Sequence, residues 1–332
     1  MNYLVTGALG FIGSNFVNYY SEKYPNIKIT VLDKNNYCSS MLNIISSDVK
    51  VIVGDIVDKE LIKNILYQNQ INVIVHFAAE SHVDNSFGNS LDFTINNVLG
   101  THILLEMAKN YNDDTSNIKL FVHCSTDEVY GEVSDDEICT EQSILDPTNP
   151  YAATKASAEF IAKSYFYSYK LPVIITRSNN VYGINQYPEK IIPKFICQLL
   201  ENKPLTIHGT GSSKRNFIHV YDICTAFETI INSGIIGSIY NISAAPNSEF
   251  SVLEIAKILI KLFDLGDLDV NSDLRSNSNL CIFVPDRNFN DRRYYTSSTS
   301  LEGLGWAPVK TDFEQNLQEL IEWYKNNKYR YL

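Results

Sequence analysis

Two short segments of the chain hold an unusual density of groups that can take up or release protons. Thr126, Asp127 and Glu128 end a strongly apolar segment, and Tyr151 and Lys155 lie near the start of a predicted helix. The tyrosine and the lysine are four positions apart, so they share one face of that helix. A free phenol titrates near ~10 and a free lysine near ~10.4. Because an ammonium group beside a phenol favours the phenolate, we expect Tyr151 to act as a base near neutral pH.

The same residue types also occur without a catalytic role. A tyrosine and a lysine four positions apart are often part of an amphipathic helix surface. Adjacent Asp and Glu residues are usually a solvated loop pair. A cofactor site elsewhere in the chain would favour the catalytic interpretation.

The N-terminus carries the spacing of a dinucleotide-binding loop. A short apolar strand over 3–6 runs into Gly7, Gly10 and Gly13, and a helical pattern follows. Glycines at these positions allow a tight turn, close approach of a pyrophosphate and close packing of helix on strand. The phosphates would lie at the helix N-terminus, where N–H groups and the helix dipole attract anions. Asp33 ends the next strand about twenty residues further on, where an acid meets the ribose 2′-OH, so we predict NAD rather than NADP.

Two further strand segments end in residues suited to the same cofactor. The third strand leads to Asp55, which either accepts a hydrogen bond from the adenine amino group or caps a helix predicted over 58–70. Both roles are compatible. The fourth strand ends in Ala78 and Ala79, whose small side chains let the backbone lie against a ligand.

Composition and charge exclude several classes of protein. The 332 residues are 45% hydrophobic and 20% charged, which is typical of a globular protein with a large core. The net charge of −11 argues against a nucleic-acid surface. We find no apolar run near the ~20 residues of a membrane span and no signal-peptide pattern. The six cysteines are dispersed and the six histidines do not cluster, so we expect reduced thiols, no metal and a cytoplasmic protein.

The order of strand and helix patterns predicts the fold class. These patterns alternate up to about residue 177, which is typical of an α/β fold with a doubly wound parallel sheet. In this part we predict helices over 91–111 and 151–169, and a surface excursion over the polar stretch 134–149. His76 and His123 lie in apolar strands and are predicted to be core residues.

After residue 177 the predicted elements become shorter and the loops longer. Helices are predicted over 188–201, 219–232, 252–263 and 312–327. We therefore predict two units. Residues 1–177 form a Rossmann-type NAD-binding domain with the catalytic residues, and residues 178–332 form a smaller mixed α/β substrate-binding lobe, interleaved with the first.

Several separate motifs in this order resemble a known family. The three glycines, Asp33 and the Tyr151-x-x-x-Lys155 pair are similar to those of extended short-chain dehydrogenases/reductases, over essentially the whole chain. Many members of that class have no acidic pair. The run over 126–131 instead resembles the nucleotide-diphosphate-glucose 4,6-dehydratases, as do the segments 177–183, 188–193 and 291–294.

This resemblance implies a reaction and a role for each proton-transfer group. A nucleotide-linked hexose would become its 4-keto-6-deoxy form, with loss of water and internal hydride transfer through tightly bound NAD. Tyr151 would take the 4-hydroxyl proton and Thr126 would hydrogen-bond the same oxygen. Lys155 would keep the phenol acidic and hold the nicotinamide ribose. Glu128 would remove the C5 proton, and Asp127 would protonate the departing 6-hydroxyl.

The resemblance also implies binding residues and an assembly. Besides Tyr151 and Lys155, the predicted NAD-binding residues are Gly7, Gly10, Phe11, Ile12, Gly13, Asp33, Lys34, Asp55, Ile56, Phe77, Ala78, Ala79, Ser81 and Asn180. The predicted nucleotide-sugar-binding residues are Ser81, Thr126, Asn179, Lys190, Arg215, Arg287 and Asn290. The apolar faces of the helices over 91–111 and 151–169 would form a homodimer interface, or would simply be core.

Two short segments depart from the thymidine-linked branch of that family. Residues 37–40 read Tyr-Cys-Ser-Ser where that branch tends to have Tyr-Ala-Gly-Asn, and residues 289–291 read Phe-Asn-Asp in place of Gly-His-Asp. Both variants look more like the UDP-glucose 4,6-dehydratases of the UDP-rhamnose route. We therefore predict UDP-glucose as substrate, with dTDP-glucose as the alternative. A nucleotide-sugar 4-epimerase and a non-catalytic NAD-sensing protein also remain open.

Overall fold

The computed structural model describes residues 1–266, 279–286 and 291–331. Within these ranges the strands are β1 (Asn2–Thr6), β2 (Lys28–Asp33), β3 (Lys50–Val53), β4 (Val73–His76), β5 (Leu120–Thr126), β6 (Val173–Ser178), β7 (Asn180–Tyr182), β8 (Leu205–His208), β9 (Lys214–His219), β10 (Ile239–Ile242), β11 (Glu249–Ser251) and β12 (Cys281–Val284). The helices are α1 (Phe11–Lys23), α2 (Lys59–Gln68), α3 (Val83–Gly88), α4 (Ser90–Phe93), α5 (Thr101–Thr115), α6 (Pro150–Tyr169), α7 (Ile191–Leu200), α8 (Val220–Ser233), α9 (Val252–Leu262), α10 (Thr299–Glu302) and α11 (Phe313–Asn327).

A parallel sheet lies at the centre of the molecule. Over the described residues it has seven strands in the order β10-β6-β5-β4-β1-β2-β3, and every neighbouring pair is parallel. Side chains alternate between its faces: Tyr3 and Val5 join the core under α1 and α8, whereas Leu4 joins the core under α2, α5 and α6. Strands β4 and β6 are buried at every position, because helices cover both faces. The predicted doubly wound α/β fold is confirmed.

The C-terminal half of the chain contributes to two different layers. Strand β10 and helix α8 lie beyond residue 177, yet they belong to the central sheet and to one of its helix layers. The remaining C-terminal elements form the small sheets β11-β9-β7 and β12-β8. These sheets share a separate apolar core with α7, α9 and α11. The chain thus returns once to the central sheet, and the division at residue 177 stays a prediction.

Several helix boundaries differ from the predicted ones because local contacts decide them. The helix predicted over 188–201 begins at Ile191, since Lys190 is its N-cap and the Glu189 N–H closes a turn onto the Tyr187 carbonyl. The helix predicted over 91–111 is a run of α4, a π-helical segment (Thr94–Gly100) and α5.

The stretch 134–149 is mostly exposed, as predicted, but its last residue, Asn149, is only 6% exposed.

A buried ion pair ties helix α6 to strand β6. The Arg177 guanidinium donates to both carboxylate oxygens of Glu159, with the shortest N···O distance at 2.6 Å, and both residues are buried. Arg177 also donates to the Tyr130 hydroxyl at 2.7 Å. Glu159 follows Lys155 by one helical turn. The pair therefore sets the helix that carries Tyr151 and Lys155 against the turn that ends at Tyr130.

Replacing Glu159 by Gln should lower the free energy of unfolding by ~3–5 kcal/mol, because Arg177 would stay buried without its counter-charge. Urea unfolding of the parent and the variant measures this difference. Glu322→Gln is the matched control, since Glu322 pairs with Lys325 on the surface and such pairs contribute little. Equal midpoints for Glu159→Gln and Glu322→Gln would show that the buried pair does not stabilise the fold.

Candidate active site

A cavity of about 420 Å³ lies at the carboxyl ends of the central strands. Strand order reverses between β1 and β4, which is where ligands bind in doubly wound sheets. Every residue predicted to bind NAD lines this cavity. The cavity is also lined by residues predicted to bind the nucleotide sugar or to transfer protons, namely Ser81 (also in the NAD set), Thr126, Glu128, Asn179, Lys190 and Arg215. Their individual roles stay predictions, and Arg287 and Asn290 lie outside the described residues.

The glycine loop between β1 and α1 has room for backbone only at Gly7 and Gly13. Gly7 has φ +71°, and a Cβ there would lie 2.5 Å from the Ala78 nitrogen. A Cβ on Gly13 would lie 2.6 Å from the Gly7 carbonyl oxygen. A Cβ on Gly10 would instead meet one atom within 4 Å, at 3.3 Å, so its outer side is open to the cavity. The loop is therefore shaped to admit a pyrophosphate beside the start of α1.

Asp33 is held rigidly at the end of β2. Its Oδ2 accepts from the Leu9 N–H at 2.9 Å and its Oδ1 from the Asn35 N–H at 2.8 Å. Each oxygen keeps a second lone pair, so the carboxylate can still accept from a ribose hydroxyl. Asp55 accepts from the Val57 N–H, whereas the N-cap of α2 is Asp58. The alternative interpretation of Asp55 as the cap of that helix is therefore wrong.

The groups predicted to transfer protons come from two elements that meet beside this loop. Thr126 ends β5, and a 3₁₀ turn (Asp127–Tyr130) follows it. Tyr151 and Lys155 lie in the first turns of α6, and the Lys155 Nζ donates to the Cys124 carbonyl at 2.6 Å. Asp127 is the exception in position: it is 2% exposed and is not among the residues that line the cavity. Its carboxyl lies behind Thr126, whose hydroxyl oxygen is 3.2 Å from the Asp127 Oδ1.

Asn149 connects these two elements, and the sequence did not identify it as a site residue. Its Oδ1 accepts from the Ala152 N–H at 2.9 Å and so caps α6. Its Nδ2 donates to the Glu128 Oε2 at 3.2 Å. An Asn followed by Pro at the start of a predicted helix is a recognisable cap signal. The contact with Glu128 carries no such signal in the sequence.

Burial sets the proton affinities of the two central groups. It raises the pKa of Asp127 to about 7, assisted by the nearby Glu128 charge, while the Asn179 hydrogen bond acts in the opposite direction. Burial also raises the pKa of Tyr151 well above its ordinary value, and the Glu128 charge adds to this effect. Burial lowers the pKa of Lys155. From spacing alone we expect a lowered pKa for the Tyr151 phenol, and for the protein's own groups this is wrong, because burial is the largest influence on this phenol and the Glu128 charge acts in the same direction.

The far end of the cavity carries cations that could meet a diphosphate. The Lys190 Nζ donates to the Ser81 carbonyl at 2.7 Å, so it bridges the two parts of the chain across the cavity. The Arg215 guanidinium lies over the Tyr294 ring, 4.6 Å from its centroid. Both side chains are of the types that recognise phosphate oxygens.

The histidines predicted to be core residues are buried. His76 is 1% exposed and bonds the Thr6 and Thr101 hydroxyls, and His123 is fully buried. In the described part of the chain, no group of three His, Cys, Asp or Glu side chains is arranged to hold a metal ion. No described helix is long and apolar enough to cross a bilayer.

The sheet order, the glycine loop, the acid at the end of β2 and the Tyr-x-x-x-Lys helix together define an extended short-chain dehydrogenase/reductase. The model of one family in this class, described as GDP-mannose 4,6 dehydratase, matches residues 4–320. The chain belongs to this family of nucleotide-sugar 4,6-dehydratases.

Individual relatives cover nearly all of this chain. A trifunctional UDP-glucose 4,6-dehydratase/UDP-4-keto-6-deoxy-D-glucose 3,5-epimerase/UDP-4-keto-L-rhamnose-reductase of Arabidopsis thaliana is 45% identical over 98% of this chain. This chain spans about half of that protein, 47% of its length. The dTDP-D-glucose 4,6-dehydratase of Homo sapiens is 44% identical, over 98% of this chain and 90% of its own length.

A solved structure shares the whole architecture. The dTDP-glucose 4,6-dehydratase DesIV of Streptomyces venezuelae, crystallised with NAD and TYD bound, superposes with a TM-score of 0.89. It is 35% identical, over 100% of this chain and 99% of its own.

Proposed function

We propose that this chain is an NAD-dependent hydro-lyase that removes water from a nucleotide-linked hexose, a nucleotide-sugar 4,6-dehydratase. One observation carries the proposal: Thr126, Glu128 and Tyr151 line the same cavity as the glycine loop, and the Asp127 carboxyl lies directly behind Thr126. An oxidation followed by an elimination needs a phenol near a dinucleotide and two carboxyl groups near the same sugar. Family membership and the dehydratase relatives support the same activity.

NAD is the cofactor that fits this site. The open outer side of Gly10 suits the pyrophosphate, Asp33 suits the adenosine ribose, and Lys155 suits the nicotinamide ribose. When bound, NAD supplies the hydride acceptor for C4, the hydride donor for C6 and a positive charge near the phenol. The chain has no need to release its cofactor between turnovers, because oxidation and reduction balance within one substrate.

The first step assigned to the protein is removal of the 4-hydroxyl proton. Tyr151 takes this proton as phenolate, and the Thr126 hydroxyl holds the same substrate oxygen. The high pKa that burial gives Tyr151 means that positive charge must compensate. Lys155, one turn further along α6, supplies part of that charge from within the protein.

The second step is elimination across C5 and C6. A carbonyl at C4 acidifies the C5–H bond, so a carboxylate becomes a sufficient base, and Glu128 takes this proton. Asp127 keeps a proton near neutral pH because it is buried, and it protonates the 6-hydroxyl, which leaves as water. After exchange with solvent, Glu128 then delivers a proton back to C5. Two neighbouring carboxyl groups in different environments are suited to these opposite roles.

The elimination rate should fall as pH rises through about 7, because Asp127 must be protonated to act as an acid. A carboxyl with a raised pKa is protonated below that pH and loses its proton above it, so the alkaline side of the kcat profile declines. Steady-state rates at saturating substrate across the neutral range check this expectation. A kcat that stays constant well into the alkaline range would contradict Asp127 as the acid.

We propose UDP-glucose as the substrate, the product being UDP-4-keto-6-deoxyglucose, which would lead to a rhamnose-type deoxysugar. The Tyr-Cys-Ser-Ser run at residues 37–40 supports uridine, and residues 38 and 39 line the cavity. Overall sequence identity does not discriminate between the two substrates, because the UDP-glucose dehydratase relative is 45% identical to this chain and the dTDP-glucose dehydratase relative is 44% identical to it. dTDP-glucose is therefore the alternative substrate.

Separate incubations with UDP-glucose and dTDP-glucose, followed by mass spectrometry, test both the reaction and the nucleotide. We expect loss of one water from each substrate that is accepted, with the higher kcat/KM for UDP-glucose. A higher value for dTDP-glucose would reverse the nucleotide assignment only. A 4-epimer of unchanged mass would overturn the dehydratase proposal, and no conversion at all would favour a non-catalytic NAD-sensing protein.

We also propose that the chain forms a homodimer through α4, the π-helical segment and α6. Large apolar side chains on these helices are exposed, among them Leu91 at 76% and Phe160 at 59%. Such residues on neighbouring helices favour association with a second copy. Light scattering on the parent and on Phe160→Glu tests this, and a monomeric parent would contradict it.

A further inference from the structure

The turn after β2 that carries Tyr37 is fastened to the glycine loop. The Ser40 N–H donates to the Leu9 carbonyl at 3.0 Å. Residues 36, 38 and 39 line the cavity, whereas Tyr37 does not. The Tyr37 side chain, which is 52% exposed, therefore extends from the dinucleotide side of the cavity without being part of its wall.

A second segment of the cavity wall, just before α7, reaches the Tyr37 side chain. Tyr187, Glu189 and Lys190 line the cavity, and Lys190 is the N-cap of α7. The Glu189 N–H donates to the Tyr187 carbonyl at 2.8 Å, so this segment is a tight turn attached to that helix. Helix α7 packs in the separate apolar core of the C-terminal elements. Glu189 is thus held by the C-terminal part of the chain.

Tyr37 connects these two segments. Its hydroxyl donates to the Glu189 Oε2 at 2.6 Å and accepts from the Asn85 Nδ2 at 3.2 Å. Its ring meets the Tyr187 ring edge to face, with the centroids 5.4 Å apart. Because a hydroxyl that accepts from an amide keeps its own hydrogen for the carboxylate, the two hydrogen bonds reinforce each other. The contact with Glu189 is a charge-assisted hydrogen bond between residues 152 positions apart.

The contact between Tyr37 and Glu189 can persist while a substrate is bound. A neighbouring contact, from the Lys190 Nζ to the Ser81 carbonyl at 2.7 Å, also joins the two sides of the cavity. Lys190 and Ser81 are both predicted to meet the nucleotide sugar, so a bound diphosphate competes for that contact. The same diphosphate is repelled by the Glu189 carboxylate, and we therefore expect it to leave the hydrogen bond from Tyr37 in place.

We propose that Tyr37 and Glu189 form a clasp that closes the cavity over bound NAD and keeps the cofactor in place during the reaction. The need for a clasp follows from the proposed dehydratase function, on which this inference rests. The hydride taken from C4 returns to C6 of the same sugar, so NADH must not leave between the two steps. Release straight after the oxidation would give free NADH, a 4-keto sugar that still carries its 6-hydroxyl, and a protein without cofactor.

Tyr37→Phe removes the clasp with little risk to the fold. Phenylalanine keeps the ring against Tyr187 and removes only the hydroxyl, at a half-exposed position. Loss of one hydrogen bond to a charged group should raise the rate at which bound NAD exchanges with its fluorescent analogue etheno-NAD by roughly 5- to 15-fold. Because Tyr37 does not line the cavity, association should accelerate by a similar factor and the Kd for NAD should stay near the parent value. Stopped-flow fluorescence measures both rates.

Tyr67→Phe is the matched control. The Tyr67 hydroxyl donates to Asp114 in another surface pair of a phenol and a carboxylate, and Tyr67 is 38% exposed but is not among the cavity-lining residues. We expect NAD to exchange at the parent rate in this variant.

Substitutions of Glu189 test whether the two side chains act as one unit. Glu189→Ala should behave like Tyr37→Phe, and the double variant should exchange NAD no faster than either single variant, since each change removes the same hydrogen bond. Glu189→Gln still presents an acceptor to Tyr37 and should exchange NAD more slowly than Glu189→Ala.

Turnover gives a second readout of cofactor retention. With nucleotide sugar present and no free cofactor, Tyr37→Phe should lose activity as NADH escapes, and added NAD should restore the initial rate. The parent and Tyr67→Phe should keep their rates throughout the run. A constant rate for Tyr37→Phe without added NAD would contradict retention of the cofactor by the clasp.

The exchange measurement requires no turnover, so it separates the inference from the proposed function. If the parent dehydrates neither nucleotide sugar, the function proposal fails and the exchange rates still decide on the clasp. Equal exchange rates in the parent and in Tyr37→Phe would show that the clasp does not retain NAD. Faster release with an equal rise in Kd would assign Tyr37 a direct contact with the dinucleotide and would also overturn the clasp.

Discussion

Replacing Tyr151 by Phe should lower the rate of C4 oxidation by about 10²–10⁴-fold, the range for loss of a positioned general base. Tyr151 is 9% exposed at the cavity, and phenylalanine keeps the ring and its contact with Phe93 while removing the oxygen. Without that oxygen the 4-hydroxyl proton has no acceptor at this position. Mixing the NAD-loaded variant with UDP-glucose should give no transient NADH absorbance and no dehydrated product.

Tyr165→Phe is the matched control for this prediction. Tyr165 lies on the same helix and is 4% exposed, but its hydroxyl donates to Glu106 at 2.6 Å and it is not among the cavity-lining residues. We expect this variant to oxidise and dehydrate at the parent rate. If Tyr151→Phe behaves like Tyr165→Phe, the phenol is not the base and the proton must leave by another group.

Glu128→Gln should allow oxidation and stop elimination. Glutamine is neutral and cannot take the C5 proton, while its Oε1 can still accept from Asn149 at the head of α6. The fold of the site is therefore preserved and only the base is lost. We expect dehydration to slow by about 10²–10⁴-fold while bound NADH accumulates, which is the reverse of the Tyr151→Phe result.

Isotope exchange gives this second prediction an independent measurement. In heavy water the parent should place deuterium at C5 of the product, because Glu128 exchanges its proton with solvent before it returns one. Glu128→Gln should show no such exchange, even after long incubation. Deuterium at C5 at the parent rate in this variant would assign the C5 base to another residue.

Local spacing carries most of what the sequence determines here. The turn after β1 needs Gly7 because of its positive φ, and Asp33 must follow at the end of the neighbouring strand. Tyr151 and Lys155 share a face in any helix. Strand periodicity likewise predicts a buried parallel sheet. Each of these inferences depends on residues within one element or on adjacent elements of a repeating unit. The amino-acid sequence alone is therefore sufficient to predict them.

Contacts between distant residues decided what the sequence left open or predicted wrongly. The hydrogen bond from the Asn179 Nδ2 to the Asp127 Oδ2 joins residues that are 52 positions apart. The hydrogen bond from the Ala244 N–H to the Asn179 Oδ1 joins residues that are 65 positions apart. No local sequence pattern connects either pair. The return of β10 to the central sheet and the start of α7 at Ile191 were decided in the same way.

The pKa values of Tyr151 and Asp127 are the clearest example of a property that the sequence alone does not determine. Residue type and spacing predict a phenol made acidic by Lys155, but the pKa of Tyr151 is raised and that of Asp127 reaches about 7. Desolvation depends on how many atoms from all parts of the chain surround a group, whereas the sequence states only which group it is. The amino-acid sequence therefore determined which groups could move protons, and the tertiary structure decided which of them holds one at neutral pH.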